Sequence, residues 1–427
     1  MSAYENESSL TIEALRARSN RLRDRVYGPL STDADQKLLP ELLETEGILQ
    51  DRLQAQRALR IAEKAPATGT DAETGVGRTG GVTRGDAGVR RLGAHGALRG
   101  LQTTGLEATV SVSPRMSQVP TAFVHLLEAR DSPLVSVTVA TGDRHARVRI
   151  SSYVEGYSAR CVDTIELDRN GRATLAQLPT FFPAQVRQVE ELTRATLHVE
   201  VDDLDNERAE IHRTIPIWLA PRTTAYLTVV DPSDGATVDF TRYLAAWVTP
   251  NAPSVMSVLR IAADRHPDKQ IVGYQGPSGA MDETVRSQVK AIYEALQLRE
   301  ITYVNSVLAL GPGGETVAQR IRLPRESLEQ RSANCIDGTV LMASLLEAAS
   351  LNGAIVIVPG HAFLAVELAE GSDRWAYVET TMLGSHDFAA ALERGRRNIA
   401  QHDAKRGSMV TRHEIVKLRG AGIFPME

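Results

Sequence analysis

The sequence predicts a multidomain α+β protein, and three textures along its 427 residues predict it. A leucine-rich helical periodicity occupies residues 1–63, short alternating segments run through 106–220, and helical and strand patterns intermix over 221–427. These textures correspond to a helical hairpin, a β-sandwich and a mixed C-terminal domain, with a flexible linker expected at 64–105.

Bulk composition narrows the function classes. Hydrophobic residues make up 42% and charged residues 24%, so ordinary globular cores are expected. A net charge of -5 offers neither a basic surplus for nucleic acid nor an acidic tail. The start MSAYENESSL lacks a basic end and an apolar core, so no signal peptide is expected. The longest apolar run, Ala354 to Val358, is too short to span a bilayer. Two cysteines, Cys161 and Cys335, exclude a disulfide framework and point to a reducing, cytoplasmic compartment.

In the first helix Leu10, Ile12, Leu15, Leu22 and Val26 share a face. Leu38, Leu39, Leu42, Leu43, Ile48, Leu49 and Leu53 repeat the pattern after a turn holding Gly28, Pro29, Ser31 and Thr32. Two helices alone bury little apolar area, so the hairpin needs something to pack against. It serves either as a cap on this chain or as a docking surface for a protein partner. The following stretch, rich in Gly, Ala, Thr and Arg without a period, reads as the linker.

LEATVSVS, TAFVHLLEA, LVSVTVAT, ARVRISSYV, CVDTIEL, ATLHVEVDD and AEIHRTIPIWL then read as strands. Turns such as Asp131-Ser132-Pro133, Gly142-Asp143 and Arg169-Asn170-Gly171 separate them, which predicts an immunoglobulin-like sandwich. Cys161 falls within one strand and is expected to be a buried structural thiol. Beyond residue 221 the pattern predicts a strand at 227–230 and helices over Pro253 to Ala263 and Met281 to Leu298. A strand near Ile301 to Val304 and a Gly-Pro-Gly-Gly turn at 311–314 follow.

The chemistry-bearing residues lie near the C-terminus. ANCIDGTVLMASLLEAASLNG begins at a cysteine and keeps helical spacing through Ile336, Val340, Leu341, Leu345 and Leu346. Cys335 therefore starts a helix, where free N–H groups and the dipole favour a thiolate. Asp337 in the same turn partly opposes that charge, so a histidine must compensate it. His361 opens a strand after the Pro359-Gly360 break, and Trp375 to Thr380 forms the next strand. A hairpin symmetric about Gly371 sets Leu368 opposite Arg374 and Phe363 opposite Glu379. Glu379 then shares a face with His361 at a diagonal position about 7–8 Å away, within reach of a long side chain. Glu367 shares that face but lies at the far end of the strand, so Glu379 is the expected orienter. A thiol nucleophile, a histidine that holds and donates a proton, and an acid that fixes its tautomer form a cysteine triad in papain-like order.

NCIDGTVLMASLLEAASLN, VPGHAFLAVEL and YVETT together resemble the transglutaminase-like core found in many bacterial proteins. The resemblance covers roughly residues 225–427 and includes RIRLP upstream and RGAGIFPM at the end. It implies a papain-like fold and acyl transfer from a peptide or amide carbonyl. Cys335 would be nucleophile, His361 base and Glu379 third member, where the family usually has Asp. For the oxyanion, the Cys335 backbone N–H is one expected donor, and Gln330 or Asn334 the second; a surface or helix-capping role is the other reading of both. Three readings follow: a cysteine peptidase or amidase, a protein-glutamine acyltransferase, or a catalytically inactive scaffold. No cofactor is expected, and zinc is disfavoured because no close-spaced ligand pair appears. The expected partner is a protein or peptide substrate, with no nucleic acid and no membrane. The modules before the core suggest a cytoplasmic bacterial effector or processing enzyme whose core folds without residues 1–105.

Overall fold

The computed structural model describes residues 11–27, 37–38, 41, 45, 48, 97–98, 105–206, 210–230, 236–276, 279–305, 317–403 and 410–426. Over these residues the protein is mixed α+β, built from several sheets with helices packed on them.

Helix α1 (Ile12–Tyr27) buries Leu15, Leu22 and Val26, three of the apolar positions that its periodicity aligns. It is not a detached arm. The carbonyl of Val26 in its last turn accepts a hydrogen bond from the buried guanidinium of Arg394, near the other end of the chain. A cation at the end of a helix meets unsatisfied carbonyls and the negative end of the dipole. The second helix expected at 38–53 lies almost entirely outside the described residues, except that Glu41 pairs with Arg18 of α1 at 2.8 Å. Most of the stretch expected as a linker lies outside them too. Its end corrects the expectation, because β1 (Ala97–Leu98) pairs antiparallel with Thr109 and Ala108. A two-residue edge strand takes its register from its neighbour, so its own composition carries no strand signal.

Eight strands follow or join it: β2 (Leu106–Val112), β3 (Gln118–Val119), β4 (Val135–Thr141), β5 (Ala146–Val154), β6 (Cys161–Leu167), β7 (Arg172–Gln177), β8 (Thr193–Asp203) and β9 (Glu210–Leu219). They form a four-stranded sheet ordered β1-β2-β4-β7 and a five-stranded sheet ordered β3-β9-β8-β5-β6. Pairing is antiparallel except between β3 and β9. Alternate residues of both sheets, among them Val137, Val139, Val148, Ile150, Leu197, Val199 and Ile217, share one apolar core. Val186 of a short helix, α2 (Pro183–Val186), packs against this core.

Two details differ from expectation. TAFVHLLEA is not a strand: Phe123 and Val124 N–H groups turn back to the Pro120 carbonyl, and Val124–Leu126 is a 3₁₀ turn. Thr121, Ala122, Phe123 and Val124 are all buried, unlike the alternating burial of the neighbouring strands β2 and β4. Cys161 is half-buried on edge strand β6 rather than buried. An edge strand lacks the covering neighbour that a central one has.

Phe123 leaves the two-sheet core and enters the C-terminal one. Its ring stacks on Tyr243 with centroids 4.9 Å apart and lies 6.3 Å from Trp247. The C-terminal region contains β10 (Thr224–Val230), β11 (Thr237–Asp239), α3 (Pro253–Arg265), α4 (Met281–Gln297), β12 (Thr302–Tyr303) and β13 (Val317–Arg320). It continues with α5 (Pro324–Gln330), β14 (Ser332–Ala333), α6 (Cys335–Ala348), β15 (Gly353–Val358), β16 (His361–Glu367) and β17 (Trp375–Val378). Helix α7 (Phe388–Asp403), β18 (Thr411–Glu414) and α8 (Ile415–Gly420) complete it. The turn expected at 311–314 lies outside the described residues.

Every residue of α6 from Cys335 to Leu346 is buried, so this helix is the centre of the domain rather than its surface. It packs on one face of the sheet β17-β16-β15-β18, where Ile355, Ala362, Leu364 and Val366 meet it. The opposite face, with Val356, Val358, Phe363 and Ala365, is covered by Ile399 of α7. Because both faces are covered, β15 reads as a continuous apolar run. No helix among the described residues is long and apolar enough to cross a membrane.

Candidate active site

Three chain reversals bring Cys335, His361 and Glu379 together. Cys335 is the first residue of α6, and a reciprocal cap fixes that start. Asp337 N–H donates to Asn334 Oδ1 at 2.8 Å, and Asn334 N–H donates to Asp337 Oδ2 at 3.0 Å. His361 is the first residue of β16, opposite Val358 across Pro359-Gly360. Proline fixes φ at the first turn position and Gly360 supplies the positive φ of 76° at the second, the pattern of a type II turn. Glu379 follows β17 directly. The register is the one set by symmetry about Gly371: Glu367 faces Trp375, Leu364 faces Val378, and Leu368 N–H donates to Arg374 O at 2.8 Å. The ladder ends at Val378, two residues earlier than the strand expected to reach Thr380. Glu379 instead caps the 3₁₀ turn Thr380–Met382.

His361 lies between the other two side chains. Its Nε2 is 2.7 Å from Glu379 Oε2, and the Cys335 thiol is close enough to the ring to help raise its pKa. Nε2 is taken by the carboxylate, which leaves Nδ1 for the sulfur. His361 is 5% exposed and Cys335 9%. Close packing holds the pieces in register: Thr339 Oγ1 donates to Cys335 O at 2.7 Å, and Thr380 Oγ1 reaches the same oxygen at 3.3 Å. A Cβ on Gly338 would stand 3.1 Å from the Thr380 side chain, so the helix start and the Glu379 segment approach at glycine distance.

Burial alone would lower the His361 pKa, but the Glu379 carboxylate and the Cys335 thiol outweigh it and hold the imidazole at about 9. Burial also works against the Glu379 charge. His361 and the Thr381 N–H and hydroxyl overcome it and keep the carboxyl below its usual range. His361, raised from 6.5, contributes stability in full below pH 6.5 and loses it as pH rises through about 9. Glu379, lowered from 4.5, contributes above pH 4.5 and loses that contribution as pH falls through its folded value. The pair therefore contributes most between about pH 4.5 and 6.5. The stability gap between wild type and His361→Gln is expected to shrink by about 3 kcal/mol between pH 6 and pH 10 in urea titrations. A gap that stays constant would contradict this electrostatic account.

The other sequence candidates occupy different roles. Asn334 spends its carbonyl on the Asp337 cap and donates from Nδ2 to Arg320 O at 3.2 Å. Gln330 is exposed at the end of α5, where its Oε1 accepts from Arg322 Nε at 2.8 Å. These hydrogen bonds hold both amides to the scaffold around α6. Asp337, expected to oppose a thiolate, is closed off by Arg322. Arg322 donates to it from the backbone and from Nη1, each at 2.8 Å. Glu367 binds Asn352 Nδ2 and the Asp373 N–H at the far hairpin end, away from His361.

Sequence reasoning missed Arg322 and Asn398. Asn398, on α7, donates from Nδ2 to Glu379 Oε2 at 2.7 Å. The signal for α7 itself is Asp387, whose Oδ1 accepts from Ala390 N–H at 2.8 Å as an N-cap does. Two cavities of about 230 and 290 Å³ share Arg187 and Arg222, and no triad residue lines either. Among the described residues, no group of three His, Cys, Asp or Glu side chains converges to hold a metal. The chemistry open to this arrangement is nucleophilic attack by sulfur with proton transfer through one imidazole. No protein-family model matches the chain, and no curated protein matches it in sequence.

Proposed function

We propose that the chain is a cysteine-dependent hydrolase of peptide or amide bonds, with a papain-like, transglutaminase-like C-terminal domain behind an immunoglobulin-like sandwich. One observation carries this reading: a single buried imidazole hydrogen-bonds a buried carboxylate and sits close enough to the only thiol at a helix start among the described residues for that thiol to raise its pKa. The sandwich reading is supported by the split of β2, β4 and β7 from β5, β6, β8 and β9, which requires strands to cross between sheets.

The mechanism follows from the partners. Glu379 takes the His361 Nε2 proton as a hydrogen bond and fixes the ring, so Nδ1 faces sulfur. The imidazolium stabilises a Cys335 thiolate as an ion pair. Sulfur attacks the carbonyl carbon, and the C=O pair moves to oxygen as the tetrahedral adduct forms. Backbone N–H groups at the α6 start, beginning with Cys335, are the donors for that oxygen. Collapse expels the amine, which takes the proton from His361 and leaves a thioester on Cys335. Water, deprotonated by His361, then releases the acid. If an amine replaces water, the same steps give the protein-glutamine acyltransferase reading.

Iodoacetamide separates an active thiol from an inert scaffold. Burial and the nearby Asp163 push the Cys161 thiol up. Cys161 is nonetheless the more exposed of the two, so exposure alone would make it label first. Cys335 is expected to label at least about tenfold faster than Cys161 at pH 7, read by mass spectrometry of peptides. Equal or slower labelling of Cys335 would sink the enzyme reading. New peptide termini would mark hydrolysis, whereas ammonia release with amine incorporation would mark transamidation.

A further inference from the structure

We infer that Asn398 is a positioning residue for the acid of the site: its amide, reaching from α7, clamps Glu379 against His361. This role rests on the Cys335–His361–Glu379 reading above. A glutamate side chain has several free torsions, and holding it in one geometry needs more than a single partner. Glu379 Oε1 accepts from Thr381 N–H at 3.0 Å and from Thr381 Oγ1 at 2.7 Å. Oε2 accepts from His361 Nε2 and from Asn398 Nδ2, both at 2.7 Å. Four donors on three elements therefore fill a carboxylate that is fully buried. Without Asn398, the oxygen that faces His361 has no other anchor among these donors.

Asn398 itself is fully buried, and its Oδ1 has no hydrogen-bond partner among the described residues. A buried acceptor left unsatisfied costs free energy that an apolar side chain would not. Turning the amide round would satisfy nothing, because Oδ1 would then face the Glu379 carboxylate. Asparagine here is a poor choice for packing and a good one for donating to Glu379. Its helix is seated to make that contact. A Cβ on Gly395, one turn earlier, would stand 2.3 Å from Tyr377 O and 2.8 Å from Val378 N. The backbone of α7 thus rests directly on β17, immediately before Glu379. The Glu379 N–H in turn donates to Ala391 O of α7 at 3.1 Å.

The test uses the full chain with Asn398→Leu, Asn398→Asp and, as control, Arg396→Ala, which removes an exposed α7 side chain bonded to Glu393. The midpoint of His361 is read by NMR titration of labelled histidine, and Cys335 reactivity by iodoacetamide labelling. In Asn398→Leu the midpoint is expected to fall from about 9 toward 6.5, with labelling at pH 7 slowed about tenfold. Arg396→Ala is expected to change neither. A merely structural role would move the melting temperature and leave the His361 midpoint in place. Should Asn398→Leu fail to fold, Asn398→Asp keeps the shape, turns the donor into an acceptor and is expected to slow labelling likewise. A wild-type midpoint in Asn398→Leu, or wild-type labelling in Asn398→Asp, would overturn the assignment. The titration needs no reaction, so it remains decisive even if wild-type Cys335 labels no faster than Cys161, the separate result that sinks the enzyme reading.

Discussion

In the proposed hydrolysis, exchanging Glu379 for glutamine is expected to slow turnover at Cys335 by about 10²–10⁴-fold, the range for loss of acid–base function. Native Glu379 accepts from four donors, whereas glutamine accepts with one oxygen only. If its NH₂ takes the Oε2 position, it meets His361 Nε2–H and the Asn398 amide, both donors. If it takes the Oε1 position, it meets the Thr381 N–H. Either orientation sets donor against donor in a site sealed from water. The first also favours the tautomer that turns the His361 proton toward sulfur. The same change is expected to lower stability by about 3–5 kcal/mol, since it breaks a buried pair from one side. Single-turnover kinetics on an amide substrate and urea unfolding measure the two effects. An Glu379→Gln protein with wild-type kinetics would remove the acid from the mechanism.

Gly395→Ala is the second large effect. The added Cβ would lie 2.3 Å from Tyr377 O, 2.5 Å from Tyr377 C and 2.8 Å from Val378 N. All three are backbone atoms of β17 and its end, so no side chain can rotate away. The helix must lift or the strand must bend, and both carry Glu379 with them. We expect a loss above about 3 kcal/mol, at the upper end for overpacking, and slower iodoacetamide labelling of Cys335. Gly420→Ala is the matched control, because nothing lies within 4 Å of a Cβ there. Its melting temperature should stay within a degree or two of wild type. If Gly395→Ala melts there too, α7 is not seated on β17 as described.

What the sequence made legible follows from the range of the forces involved. The hairpin around Gly371 could be registered from spacing alone, because side chains alternate and the loop is short. Gly371 takes the positive φ of 70° that such a reversal needs. Cys335 could be set at a helix start because the helical spacing from Ile336 to Leu346 is local, and the structure closes that start with a cap between Asn334 and Asp337. Long-range partners left no such trace. Nothing near Asn398 tells that it is buried, since its partner is 19 residues away and belongs to another element. Arg322 meets Asp337 across 15 residues and a helix, for the same reason. The run at 121–129 failed differently. Its apolar residues imitate a strand, but Ala122 and Phe123 are buried in the C-terminal core, not in the core between the two sheets.

That insertion bears on motion. Phe123 lies against Tyr243, Phe240 and Trp247, and Thr121 Oγ1 donates to Ala220 O at 2.7 Å. Tyr226 OH also donates to Gln118 Oε1 at 2.7 Å across the same junction. Residue 220 marks a change of architecture, but it does not act as a hinge. Swinging one unit against the other would first have to draw an aromatic ring out of its stack. The two-sheet region and the thiol-bearing region are thus latched, and a load applied to one is felt by the other.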